Sequence, residues 1–96
     1  MADAAMAAAS RRPRVASLYR LQWEDAQQAH VLLFPEGMVK LNRSAGEILS
    51  RCDGTRTTSE IVAQLESAFG TTALAPEVLA FLELAAGKGW VEWSEG

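Results

Sequence analysis

Reactive and metal-binding side chains are scarce in this chain of 96 residues. It has one cysteine, Cys52, so no internal disulfide can form, and a reducing compartment such as the cytoplasm suits this composition. It has one histidine, His30, whereas a metal site usually needs several ligands at suitable spacing. Cys52 lies on the apolar face of a predicted helix, where a buried, inert thiol is expected. We therefore predict no catalytic residue, no metal and no cofactor.

Long apolar runs are also missing. No segment reaches the roughly 18–20 apolar residues that a membrane span needs. The alanine-rich start lacks the basic region and the strongly apolar stretch of a signal peptide. We therefore expect no membrane association. We predict a mobile tail over residues 1–13 and a single domain over residues 14–96, a length that one core can support.

Positive charge is nearly absent from the C-terminal part of the chain. Only Lys88 among the nine Lys and Arg residues lies beyond residue 56, and residues 57–96 also carry six acidic groups. Helices in that part would repel a phosphate backbone. A winged-helix nucleic-acid-binding protein, which the order of predicted elements would also suit, is therefore the alternative function and not the leading one.

Three segments have the pattern of strands. Leu18–Glu24 alternates between apolar and polar residues, as a half-buried strand does. Ala29–Phe34 is apolar on both faces, as expected for a central strand that is covered on each side. Met38–Leu41 follows the turn signal "PEG". We predict a three-stranded antiparallel meander with its third strand at an edge.

Three helices are predicted after the meander. In "NRSAGEIL" either Asn42 or Ser44 can be the N-cap, and Ser44 with Glu47 fits a capping box. A second capping box, Thr57 with Glu60, begins the next helix, and "APEVLAFLELAAG" forms the third. The fold class is therefore α+β, a three-stranded antiparallel sheet followed by three helices in a winged-helix-like arrangement. The closing "WVEW" is either a short strand or an extended tail.

Surplus apolar surface is the positive indication of function. The third strand and the third helix carry more apolar positions than one core face requires, although a small domain could use all of them in its core. The alternative interpretation is that an edge strand and a nearby helix leave a groove, to which a guest peptide adds as a strand. Lys40 would protect such an edge against self-association. We expect a monomer, with a homodimer as the alternative.

One long run carries a resemblance to a known family. The run "RLQWEDAQQAHVLLFPEGMVKLNRSAGEIL", followed by "CDG" and later by "GW", resembles the pyrroloquinoline quinone (PQQ) biosynthesis protein D family, PqqD. The similarity extends from about Pro13 to Trp93 and is most specific over Leu32–Asn42. It implies a recognition element of three strands and three helices, an adaptor and not an enzyme. Such an element binds the precursor peptide PqqA as an added strand and presents it to the radical SAM enzyme PqqE.

The resemblance also implies where the guest peptide would lie, beside the third strand and against the third helix. Periodicity does not decide which helix residues face the peptide and which face the core. Lys40 and Arg43 could pair with acidic groups of the peptide. The peptide-binding residues expected on this basis are Met38, Val39, Lys40, Leu41, Arg43, Val78, Leu79, Phe81, Leu82 and Ala85.

Overall fold

A computed structural model of the chain describes residues 9–95. Its strands are β1 (Arg11–Val15), β2 (Arg20–Glu24), β3 (Ala29–Phe34), β4 (Gly37–Lys40) and β5 (Val91–Glu95). Between β4 and β5 lie the helices α1 (Arg43–Leu49), α2 (Thr58–Phe69) and α3 (Ala75–Gly87). The α+β class, with a small antiparallel sheet and three helices, is confirmed, and the winged-helix likeness stays a prediction. Within residues 9–95 no helix is long and apolar enough to cross a membrane.

The main sheet is the predicted meander, in the order β2-β3-β4. Strand β3 lies in the middle and pairs antiparallel with both neighbours. Its consecutive residues Val31 and Leu32 point to opposite faces, and both are 0% exposed. Both faces of the central strand are therefore covered, as the apolar residues on both of its faces predicted.

A second sheet joins the two ends of the described chain, and it corrects the predicted tail. Strand β1 pairs with β5, so residues 11–13 lie in a strand and not in a mobile tail. The amide of Val15 donates to the Cys52 carbonyl, and the amide of Gly54 donates to the Pro13 carbonyl. The Pro13 nitrogen therefore falls on the side of β1 that β5 does not use, which is where a strand tolerates proline. Residues 1–8 of the predicted tail lie outside the described residues.

The core lies between the main sheet and the helices. The largest side chains in it are fully buried, and each contributes about 1.5–3 kcal/mol relative to an exposed position. From α3 it takes Val78, Leu82 and Ala85, and from α2 it takes Ile61 and Leu65. Its buried members are Leu32, Leu41, Ala45, Ile48, Leu49, Cys52, Ile61, Leu65, Val78, Leu82, Ala85 and Val91.

Helix α1 begins directly after the edge strand, and its N-cap is Asn42. The Asn42 side chain accepts a hydrogen bond from the Ala45 amide at 2.8 Å. The capping box predicted for Ser44 and Glu47 does not form, because Asn42 already starts the helix and the Glu47 carboxylate pairs with Arg51 at 2.9 Å. The box predicted for α2 is confirmed, with both of its hydrogen bonds present.

We expect Asn42→Ala to lower the free energy of unfolding by about 1 kcal/mol, since it removes an N-cap hydrogen bond. Ser44→Ala is the matched control, because the Ser44 side chain has no partner in the described chain. It should change stability by less than about 0.5 kcal/mol. Urea denaturation followed by circular dichroism measures both. Equal losses in the two variants would contradict the assignment of Asn42 as the cap.

Candidate functional site

The outer edge of β4 is an unpaired strand edge. The Leu41 amide donates to the His30 carbonyl at 3.0 Å, and the register of the two strands is regular. Because antiparallel partners alternate, Val39 also directs its backbone groups toward β3. Met38 and Lys40 direct theirs away from the sheet, where no other strand of the described chain lies. The edge thus offers one N–H and one C=O from each of these two residues.

The side chains of this edge divide between the core and the solvent. Val39 is half-buried and packs against the core, and Leu41, just after the strand, is 5% exposed. Met38 is 53% exposed and Lys40 is also exposed. Of the four residues expected on the strand side, Leu41 therefore belongs to the core, and Val39 belongs to it in part.

Helix α3 supplies fewer accessible residues than the sequence suggested. Val78, Leu82 and Ala85 are 2%, 0% and 0% exposed and belong to the core cluster. Leu79 and Phe81 are half-buried, and Phe81 packs against the same core cluster as Val39. A molecule that approached α3 from outside could therefore touch Leu79 and Phe81 without opening the core.

Arg43, the first residue of α1, is exposed and has no carboxylate partner in the described chain. Its guanidinium lies 5.2 Å from the centre of the Phe69 ring. A contact of this kind contributes about 0.5–1 kcal/mol at an exposed site. It orients the cation and leaves its charge uncompensated.

The main sheet has a second free edge at β2. The same alternation directs the backbone groups of Leu21 and Trp23 outward, and no strand of the described chain pairs with them. Arg20, Gln22 and Glu24 instead form a row of side-chain hydrogen bonds along one face of β2, at 3.2 and 2.7 Å. Arg20 is the exposed member of this row, and a charged residue on an edge strand is a usual protection against pairing with another chain.

A cleft of about 180 Å³ opens where β4 gives way to α1. Because Trp23, His30 and Leu41 occupy directly opposed positions on β2, β3 and the end of β4, they lie in one row across the sheet. The sequence alone could not have grouped them, since the row exists only once the register is fixed. We call this site the Trp23–Arg43 cleft, and its lining includes Trp23, His30, Leu41, Asn42, Arg43 and Glu47.

The inner end of the cleft depends on a close approach of helix to sheet. His30 makes an edge contact with the Trp23 ring, with 5.1 Å between the ring centres. On its other side it packs over Gly46, where an added Cβ would lie 2.5 Å from His30 Nδ1 and 3.0 Å from His30 Cβ. Gly46 lies inside α1 and is buried. A glycine here removes the side chain that would otherwise hold the helix away from His30.

Cys52 has the inert character expected from its position. Burial raises the pKa of its thiol to about 12, with a smaller increase from the neighbouring Asp53 carboxylate. The protonated thiol donates to the Ile48 carbonyl at 3.2 Å. Among residues 9–95 there is no group of three or more His, Cys, Asp or Glu side chains that could hold a metal ion.

Comparison with known proteins identifies one consistent set of relatives. The family model "Coenzyme PQQ synthesis protein D (PqqD)" matches residues 29–91. Proteins called "PqqA binding protein" are 48% identical in Stutzerimonas stutzeri and 52% identical in Pseudomonas aeruginosa, each over 75 residues. In both cases the match covers 77% of this chain and 82% of the relative.

A solved structure has the same architecture. It is the solution NMR structure of the PqqD truncation of Methylobacterium extorquens PqqCD, described as a functional and stand-alone RiPP recognition element. The two chains superpose with a TM-score of 0.70 at 29% identity. The likeness covers 83% of this chain and 87% of the other.

We expect Gly46→Ala to lower the free energy of unfolding by about 1 kcal/mol. Overpacking against His30 costs about 1–3 kcal/mol, and the gain in helix propensity returns at most about 1 kcal/mol. In a His30→Ala background the same substitution should become neutral or stabilising, because only the propensity gain remains. A double-mutant cycle by urea denaturation measures this change of sign. An equal effect of Gly46→Ala in both backgrounds would contradict the close approach.

Proposed function

The chain belongs to the PqqD family, and we propose that it binds a PqqA precursor peptide as an added strand on the open edge of β4. The observation that carries this proposal is the outward direction of the Met38 and Lys40 backbone groups at an unpaired edge. A guest strand needs such a row of donors and acceptors. The names of the similar proteins, which are called PqqA binding proteins, support the identity of the guest.

Backbone pairing alone would not hold the peptide. Each ladder hydrogen bond contributes about 0.5–1.5 kcal/mol net, so the groups of Met38 and Lys40 supply about 2–6 kcal/mol. Association costs about 4–15 kcal/mol in lost freedom. Apolar contacts must supply the difference. We assign them to the exposed Met38 side chain and to the half-buried residues Leu79 and Phe81 of α3, and we leave Val78, Leu82 and Ala85 to the core.

On this proposal the protein is an adaptor that works as a monomer in the cytoplasm. It would hold the peptide and present it to the radical SAM enzyme PqqE, a role that rests on the family resemblance. The nucleic-acid alternative is not proposed, since α2 and α3 carry four glutamates and no lysine or arginine. A phosphate backbone would be repelled from that surface.

Hydrogen exchange of individual amides, with and without the PqqA peptide of the same organism, tests the proposal. We expect the Met38 and Lys40 amides to become protected, because a guest strand would accept their hydrogen bonds. The Leu21 and Trp23 amides at the β2 edge are the internal control and should stay unchanged. Protection at β2 alone would move the site to the other edge, and a failure of the peptide to bind would overturn the proposed function.

Lys40→Pro should weaken PqqA binding by about 2–10-fold beyond Lys40→Ala, because it also removes one ladder donor worth about 0.5–1.5 kcal/mol. Lys40→Ala is the matched control, since it removes the charge and keeps the amide. The lost amide points to solvent in the free protein, so the variant should fold. Isothermal titration calorimetry measures both affinities, and circular dichroism checks the fold. Equal affinities in the two variants would contradict strand addition at this edge.

A further inference from the structure

We infer that the Trp23–Arg43 cleft is a side-chain pocket that receives one carboxylate-bearing residue of the bound peptide. This inference rests on the proposed function and adds a specificity site to it. The backbone edge at Met38 and Lys40 accepts strands of many sequences, since backbone hydrogen bonds do not depend on the side chains of the guest. Discrimination among peptides therefore needs a pocket, and the cleft adjoins the end of that edge.

The size of the cleft limits what can occupy it. Its volume is about 180 Å³. Pockets for drug-sized ligands and cofactors are larger, about 300–1,000 Å³. The cleft therefore suits a single side chain and not a complete small-molecule ligand.

The charges around the cleft determine which charge the entering peptide side chain should carry. Glu47 is the acidic residue of the lining, and its carboxylate is already paired with Arg51 at 2.9 Å. Arg43 has no such partner in the described chain. Arg43 is therefore the charged residue of the lining that lacks an ionic partner in the described chain, and a guanidinium can bind a carboxylate through two parallel hydrogen bonds. An acidic residue complements this cleft better than a neutral or basic one.

The walls of the cleft are already in place. The Phe69 ring lies beneath the Arg43 guanidinium, and His30 is confined between Trp23 and Gly46. The Trp23 ring is 49% exposed, and its Nε1 donates to the Asp25 carboxylate at 3.4 Å. A side chain that enters would cover part of this ring. Because the walls are held before binding, less side-chain freedom is lost when the pocket fills.

The position of the cleft connects it to strand addition. Leu41, Asn42 and Arg43 directly follow Lys40, the last residue of β4. A guest strand paired with Lys40 and continued beyond it would pass Asn42 and Arg43, the rim of the cleft on the β4 side, since a strand advances about 3.3 Å per residue. The pocket would thus bind the side chain of a peptide residue that lies just outside the segment paired with β4.

The test is a double-mutant cycle between the protein and the PqqA peptide. Each acidic residue of the peptide is replaced in turn by its amide, and each peptide is titrated into the wild type and into Arg43→Ala. We expect Arg43→Ala to weaken binding of the unmodified peptide by about fivefold, the upper range for an exposed ion pair. One amide peptide should lose no further affinity in Arg43→Ala. Arg20→Ala, an exposed arginine on β2, is the matched control and should leave the affinity unchanged.

A second readout needs no variant. In the wild type, the indole N–H resonance of Trp23 should shift when the peptide binds, while those of Trp90 and Trp93 should not. An unmoved Trp23 resonance, or equal losses for every amide peptide in both proteins, would overturn the pocket. If the Met38 and Lys40 amides are protected from hydrogen exchange in that same sample, strand addition at β4 is still supported and only the pocket is rejected. If the wild type binds no peptide, the proposed function and the pocket both fail.

Discussion

Strand β3 pairs on both sides. Which of its alternate residues pair with β4 determines which backbone groups of β4 remain free at the outer edge of the sheet. Because the Leu41 amide donates to the His30 carbonyl, His30 and its alternate neighbours form backbone hydrogen bonds with β4. The residues between them form theirs with β2. The same alternation leaves the backbone of Met38 and Lys40 free and turns Val39 toward the core. A slip of one residue would reverse all of these directions and point Lys40 at the core. The covered faces of β3, with Val31 and Leu32 both buried, fix the register against such a slip.

Local pattern predicted most elements of the fold, and it failed where the decisive partner is distant in sequence. The meander, the three helices and the capping box of α2 each depend on residues within a few positions of one another. Strand β1 does not, because its partners on β5 lie far along the chain, Arg14 and Glu92 being 78 residues apart. Its sequence, "RRPRV", also has little apolar character. The role of Gly46 was hidden for the same reason, since the side chain that needs the space belongs to β3.

The candidate site was predictable as an edge and only partly as a set of residues. The turn signal and the start of α1 locate β4 between them, and the family resemblance selects its edge. Periodicity could not separate Leu79 and Phe81 from Val78, Leu82 and Ala85, because the apolar surface of α3 is too wide to have one clear direction. It also could not place Trp23 and Arg43 in the lining of one cleft. That neighbourhood requires the strand register and the helix start to be known together.

The pairing of β1 with β5 has a consequence for how this domain can be joined to others. The described chain starts its first strand and finishes its last one at the same end of one ribbon, where Arg11 is opposite Glu95. That ribbon is separate from the sheet that contains β4. A second domain joined before Arg11 or after Glu95 would therefore start from the same end of this ribbon. For the same reason a short linker could connect Glu95 directly to Arg11 and new ends could be cut in a surface loop, a circular permutation that leaves both sheets intact.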